Sequence, residues 1–225
     1  MANTINIMFK RFSVLFLALI LGFSSSFAIG PDDKAARILE ESKKAFESLN
    51  DFAANFSYVI QNKRMNNAPA PRQGQLKYSK GMYAILLSDQ EIYCNLDNVW
   101  LYIKDEDAPE VSIMDYDKSE SFNIEGIFDV YKHGSKAKYM GQESVDGSSC
   151  HKIYVAVNDP KLGYNQATVW INARTDLPVK VMLKDRNQTE TIYQFSNFEK
   201  NRGFTRKDFE FNVSNFNGDV YDETE

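Results

Sequence analysis

The stretch Phe52-Ala53-Ala54-Asn55-Phe56-Ser57-Tyr58-Val59-Ile60-Gln61 decides the fold class. Phe52, Ala54, Phe56, Tyr58 and Ile60 alternate with Ala53, Asn55, Ser57, Val59 and Gln61. A period of two puts the first set on one face of a strand, which marks a half-buried strand. The segment before it keeps another period. Ala35, Ile38, Leu39, Ser42, Phe46 and Leu49 recur at helical spacing over residues 32–50, with Lys, Arg and Glu on the other face. Asp32 and Asp33 suit the N-terminus of that helix, where negative charge is favoured.

Downstream, strand-like runs follow at short, regular spacing: residues 74–79, 82–88, 91–95, 99–104 and 110–115. Asp97-Asn98 suits a tight turn between two of them. Residues 121–133 break the series. Phe122, Ile124, Ile127, Phe128 and Tyr131 predict a second, shorter amphipathic helix. Strands resume at 136–145, 150–157, 166–173, 179–184 and 189–197, with 208–213 as a last one. Turn signals such as Asp146-Gly147 and Asp176-Leu177-Pro178 separate them. Short connections make sequence neighbours pair, so this is a long antiparallel meander. About eleven strands in one sheet must curl strongly. The fold class is α+β, mainly β, with a concave sheet face that two amphipathic helices are available to cover.

The N-terminal segment bears on location. Lys10 and Arg11 precede the apolar run 12–23, and Ser24-Ser25-Ser26-Phe27-Ala28 follows. This is the pattern of a secretory signal peptide cleaved near Ala28, and the run is short for a membrane span. The alternative is a retained N-terminal anchor. No cysteine stands near Ala28, so lipid attachment there is not expected. Residues 1–28 are read as removed and residues 29–225 as one exported domain. The net charge of -5 then becomes more negative by two, because the lost segment carries Lys10 and Arg11 and no acid. An acidic chain without a basic run argues against nucleic acid and against docking on anionic lipid. The acidic end, residues 219–225, reads as a solvated, frayed tail.

Export permits a disulfide between the two cysteines, Cys94 and Cys150; the alternative is two small buried hydrophobes. There is no C-x-x-C pair. His133 and His151 have no Cys, Asp or Glu at metal-ligand spacing. Gly147-Ser148-Ser149-Cys150 lacks the second glycine of a nucleophile elbow, and no glycine-rich phosphate loop is present. Asp105-Glu106-Asp107 reads as a solvated hairpin tip. The expectation is a protein that is not an enzyme and uses no cofactor or metal.

Two strands are apolar on both faces: Val99-Trp100-Leu101-Tyr102-Ile103 and Tyr83-Ala84-Ile85-Leu86-Leu87. Either both sheet faces are covered, or one is lined for an apolar ligand. Sixteen Phe and twelve Tyr are compatible with both readings.

An ordered set of weak motifs adds a family resemblance. Phe52-x-Ala54-x-Phe56 is followed by Gly74-Gln75-Leu76-Lys77-Tyr78-Ser79-Lys80-Gly81-Met82-Tyr83. Then come Trp100-x-Tyr102 after a hairpin turn, Glu110-Val111-Ser112-Ile113, Val169-Trp170-Ile171-Asn172, Asp176-Leu177-Pro178-Val179-Lys180 and Asn197-Phe198. The set spans nearly all of residues 29–225 and resembles the LolA-type outer-membrane lipoprotein carriers, in the style of their Bacteroidetes members. The resemblance implies an unclosed half-barrel with helices as its lid. It implies a monomeric periplasmic carrier, without ATP of its own, that takes acylated lipoproteins from an inner-membrane ABC lipoprotein-release transporter to an outer-membrane acceptor. On that reading, strand parity places Phe52, Phe56, Tyr58, Tyr83, Ile85, Leu87, Trp100 and Tyr102 toward a lipid-binding cavity. Ile38, Phe46, Ile124, Ile127 and Phe128 face them from the lid. The family's lid arginine has no equivalent here; Lys80 is the nearest basic residue and the candidate lid contact, although it lacks the planar fork of arginine. The alternative functions are a periplasmic binding or sensor module for another lipid or glycolipid, or a cell-envelope interaction protein with a filled core.

Overall fold

The structure, a computed structural model, describes residues 32–62, 69–117, 135–158 and 162–224. The segment read as a signal peptide and the helix expected at 121–133, with Ile124, Ile127 and Phe128, lie outside them.

One helix opens the described chain: α1, Asp33–Glu47. Its Asp32 cap accepts hydrogen bonds at Oδ1 from the backbone N–H groups of Lys34 and Ala35, both at 3.1 Å. That satisfies donors a helix start leaves without partners. Ala35, Ile38, Leu39, Ser42 and Phe46 form its buried stripe. Exposed pairs such as Arg37–Glu41, 2.8 Å apart, line the other side.

Among the described residues twelve strands follow. They are β1 (Phe52–Asn62), β2 (Arg72–Ser79), β3 (Met82–Leu87), β4 (Gln90–Cys94), β5 (Asn98–Ile103) and β6 (Glu110–Asp115). Next come β7 (Lys136–Val145), β8 (Ser148–Ala156), β9 (Gln166–Asn172), β10 (Pro178–Lys184), β11 (Thr189–Lys200) and β12 (Asp219–Asp222). All belong to one sheet, in the order β12-β6-β5-β4-β3-β2-β1-β11-β10-β9-β8-β7. Two meanders, β1 to β6 and β7 to β11, are joined where β1 pairs with β11. The sheet is curved and does not close, because β7 and β12 remain at its two edges. It is the unclosed half-barrel of an α+β, mainly β fold.

Tight turns hold the meander in register. Lys80 and Gly81, with φ of 49° and 91°, connect β2 to β3 in two residues. Asp146 and Gly147, with φ of 47° and 76°, connect β7 to β8 in the same way. Positive φ at both central positions matches the right-handed twist of the flanking strands.

Two expectations for the C-terminal segment are corrected. Residues 208–213 are not a strand. The 3-10 helices Arg206–Phe209 and Val213–Asn215 run through this region, and the first satisfies its start with the Asp208 carboxylate, which accepts from Thr205 N–H at 2.8 Å. The acidic tail is not frayed over its whole length: Asp219–Asp222 adds to β6 as the sheet's parallel edge strand. Asp219 N–H donates to Pro109 O at 3.0 Å and Glu223 N–H to Ile113 O at 2.9 Å.

Candidate apolar binding face

Residues paired across neighbouring strands share a sheet face, so the register assigns each side chain. On the face that carries α1, the inner face, one row reads Phe52, Tyr78, Tyr83, Cys94, Val99 and Met114. The next reads Ala54, Leu76, Ile85, Ile92, Leu101 and Ser112. The third reads Phe56, Gly74, Leu87, Gln90, Ile103 and Glu110.

Helix α1 lies across the inner face. Ala35, Ile38 and Leu39 pack on Ile153, Val169, Ile171 and Val181 of β8 to β10. Phe46 reaches the other end, with its ring centroid 5.5 Å from Phe52 and 5.6 Å from Tyr78. From there rings continue through Phe198, Phe195, Phe56 and Tyr58 to Tyr193. Burial, with the nearby Tyr58 adding to it, pushes the Tyr193 phenol up to about 12, so it stays neutral. The third row has a notch. A Cβ on Gly74 would stand 2.8 Å from Phe56 Cε1 and 2.8 Å from Leu87 Cδ2, so the missing side chain is what lets those two groups approach.

Farther along β3 to β6 the inner face is less covered. Ile85, Ile92, Ile103 and Met114 are only half-buried. Among the described residues of this layer, two buried polar atoms have no hydrogen-bond partner: Gln90 Oε1 on β4 and Ser42 Oγ on α1. Among the described residues no group of three or more His, Cys, Asp and Glu could hold a metal ion. The inner face therefore offers dispersion and apolar burial, with one uncommitted carboxamide among the strands.

The structure brings six of the expected lining residues together on this face: Phe52, Phe56, Tyr58, Tyr83, Ile85 and Leu87. Ile38 and Phe46 stand over the sheet from α1. Trp100 and Tyr102 are corrected: they share one face, but it is the outer one. Cys94 pairs with Val99 and Tyr93 with Trp100, which turns Val99, Leu101 and Ile103 inward and Trp100 and Tyr102 outward.

There the C-terminal segment covers them. Phe209 is fully buried, and Phe211 lies 5.1 Å from Tyr102 and 6.0 Å from Tyr93 by ring centroids. Phe216 closes on Tyr102 at 5.4 Å. Polar ties fix the segment. Asn95 Nδ2 donates to Glu210 Oε1 at 2.8 Å, and Arg206 bridges Asp97 and Glu210. The carboxylate of Asp51, 5% exposed, accepts from the backbone N–H groups of Arg202 and Gly203. Thus the doubly apolar strands β3 and β5 are explained on their outer side by a cover, and this cover was missed from sequence. The signal for it was the spacing of Phe204, Phe209, Phe211 and Phe216 just before the tail.

Lys80 sits exposed at the β2–β3 turn and makes no side-chain hydrogen bond or ion pair among the described residues. Cys94 and Cys150 are both free and buried, on β4 and β8, so the disulfide is corrected to two separate thiols. They belong to different clusters on opposite faces, and burial pushes both thiols up, away from the reactive thiolate.

Comparison with known proteins adds a family and a fold. Residues 9–209 match the model of the family described as sporulation protein YdcC-like. Among curated proteins no sequence match is found. Among solved structures, LprF from Mycobacterium bovis aligns with a TM-score of 0.51 at 14% identity, over 78% of this chain and 96% of that one. The lipoprotein LppX from Mycobacterium tuberculosis aligns with a TM-score of 0.50 at 13% identity, over 77% and 98%. A LolA superfamily protein from Nitrosomonas europaea aligns with a TM-score of 0.40 at 13% identity, over 79% and 97%. LprF and LppX show the fold of this chain at low sequence identity.

Proposed function

The chain belongs to the family of YdcC-like sporulation proteins, and from that premise we propose that it is an exported carrier of acylated lipids or lipoproteins. The observation that carries this reading is the half-buried apolar strip of Ile85, Ile92, Ile103 and Met114, set on the inner face beside the helix-covered aromatic core. Moving a methylene from water to such a surface contributes about 0.8 kcal/mol, so a dozen methylenes gain about 10 kcal/mol at most. A carrier has to give that energy back on delivery. An unclosed sheet with one face partly covered allows release in a way that a closed barrel would not.

In its finer form the proposal places the protein in the periplasm as a monomer. It takes lipoproteins from an inner-membrane ABC lipoprotein-release transporter, shields their acyl chains against the inner face, and passes them to an outer-membrane acceptor. It performs no covalent chemistry. Native mass spectrometry of the protein isolated from its own cell envelope tests this. Adducts with the mass of an acylated lipoprotein support the carrier. Free lipid adducts alone support a lipid or glycolipid binding module instead. A protein that never carries an adduct is an interaction protein with a filled core.

A further inference from the structure

The inner face of the strands is built mainly from apolar side chains, and one buried carboxamide on it has no structural role that explains it. Gln90 opens β4 opposite Ile103 and next to Leu87 in the third inner row, and it is 3% exposed. Its Oε1 has no hydrogen-bond partner among the described residues. A buried acceptor without a donor costs the full desolvation of that group, whereas an apolar residue of the same shape would cost nothing comparable. Asn95 and Asp51, also buried, are engaged: Asn95 accepts from the Asp97 and Asn98 N–H groups, and Asp51 from those of Arg202 and Gly203, whereas Ser42 Oγ, Asn165 Oδ1 and Trp170 Nε1 share the unpartnered state of Gln90 Oε1. Among the described strand residues of the inner face, Gln90 is the carboxamide whose oxygen is left uncommitted, and Ile85, Ile92 and Ile103 beside it are half-buried rather than sealed.

We propose that Gln90 is a polar recognition point within the acyl site, and that the ligand it recognises carries a secondary amide at the head of its chain: an N-acylated lipid or an N-acylated polypeptide terminus. This rests on the acyl-binding reading of the inner face. A secondary amide has one N–H and one carbonyl, which complement the oxygen and the NH₂ of a carboxamide in either orientation. An ester supplies no donor, so it leaves Oε1 as it is. The aliphatic chain then runs over Ile92 and Ile85, while the amide sits at Gln90.

The test compares two probes of equal length, N-methyldodecanamide and methyl dodecanoate, by displacement of a fluorescent fatty acid from the purified full chain. They differ in one N–H against one oxygen. The wild-type protein is expected to bind the amide about three- to tenfold more tightly, the size of one net hydrogen bond. Gln90→Met, which keeps the volume and removes the carboxamide, is expected to erase that preference, read as the ratio of the two affinities within each protein. Its ligand-free melting temperature should be no lower than that of the wild type, since the variant removes an orphaned group. Equal binding of both probes by the wild type overturns the proposal and leaves the acyl site standing. So does a preference that survives in Gln90→Met. Failure of both probes to displace the reporter overturns the acyl site itself, and this proposal with it.

Discussion

The Oδ2 of Asp32 accepts a 2.7 Å hydrogen bond from the backbone N–H of Tyr139 on the edge strand β7, while its Oδ1 caps helix α1. One carboxylate thus starts the helix and fastens it to the sheet edge. Lys34 adds to the same joint, with Nζ 3.8 Å from the centroid of the Tyr139 ring.

This joint predicts a pH dependence. The hydrogen bond from Tyr139 N–H, then that from Ala35 N–H, holds the Asp32 carboxyl below its ordinary value. A depressed carboxylate contributes stability that is fully present above the unfolded value, about pH 4, and is lost as pH falls through the folded one. The protection factors of the amides at Tyr139 and in the first turn of α1, taken against the intrinsic exchange rate at each pH, should therefore fall below about pH 4. Asp32→Asn should show faster exchange at neutral pH and a flatter response to acid. Unchanged exchange in that variant would remove Asp32 from the docking of the helix.

Tryptophan emission offers a second check. Trp100 pairs with Tyr93, and Trp170 pairs with Lys152 and Lys180; both indoles stand on the outer face. Binding of an acyl ligand to the inner face should leave the emission maximum nearly unchanged. A clear blue shift on lipid addition would place the ligand outside and contradict the assignment of faces.

That assignment also shows where the sequence is legible and where it is not. Helix α1 and strand β1 can be read because each keeps one period with a polar opposite side. In Val99-Trp100-Leu101-Tyr102-Ile103 no residue is polar, so alternation carries no information about direction. The parity is set by the Asn95–Asn98 turn, in which Asn95 Oδ1 accepts from the N–H groups of Asp97 and Asn98 and Leu96 takes a φ of 73°. A turn of one more residue would have exchanged the faces. The C-terminal cover is hidden for a related reason. Phe209 and Phe211 stand two apart and imitate a strand, yet what holds them is tertiary: the aromatic outer surface of β4 and β5 and the pull of Arg206 and Glu210 on the β4–β5 turn. The carboxamide of Gln90 has no sequence signature, because a glutamine at a strand start looks like a solvated one.

The outer cover should be anchored by packing rather than by charge. Phe209 is fully buried, and Phe209→Ala should cost about 3–5 kcal/mol in denaturant unfolding, in the usual range for a core phenylalanine. Arg206 is about half exposed, and its ion pairs face solvent, so Arg206→Ala should change stability little. An Arg206 variant that destabilises more than the Phe209 variant would reverse the account of how this segment is held.

Gly74 gives an overpacking test. Its added Cβ would also meet Leu86 O at 2.8 Å, which is backbone and cannot swing aside. Gly74→Ala should destabilise by about 1–3 kcal/mol and should weaken acyl-ligand binding by pushing Phe56 and Leu87 apart. Unfolding curves that overlay those of the wild type would show that the notch is not tightly filled.

The most direct test of an acyl site on the inner face is photolabelling with a fatty acid that carries a diazirine near its end, followed by residue-level mass spectrometry. Labels are expected on Ile85, Ile92, Ile103 and Met114, competed away by unlabelled lipid, with none on Trp100, Tyr102 or Trp170. Competable labelling on the outer-face residues, or labelling that unlabelled lipid does not displace from either face, would contradict the account.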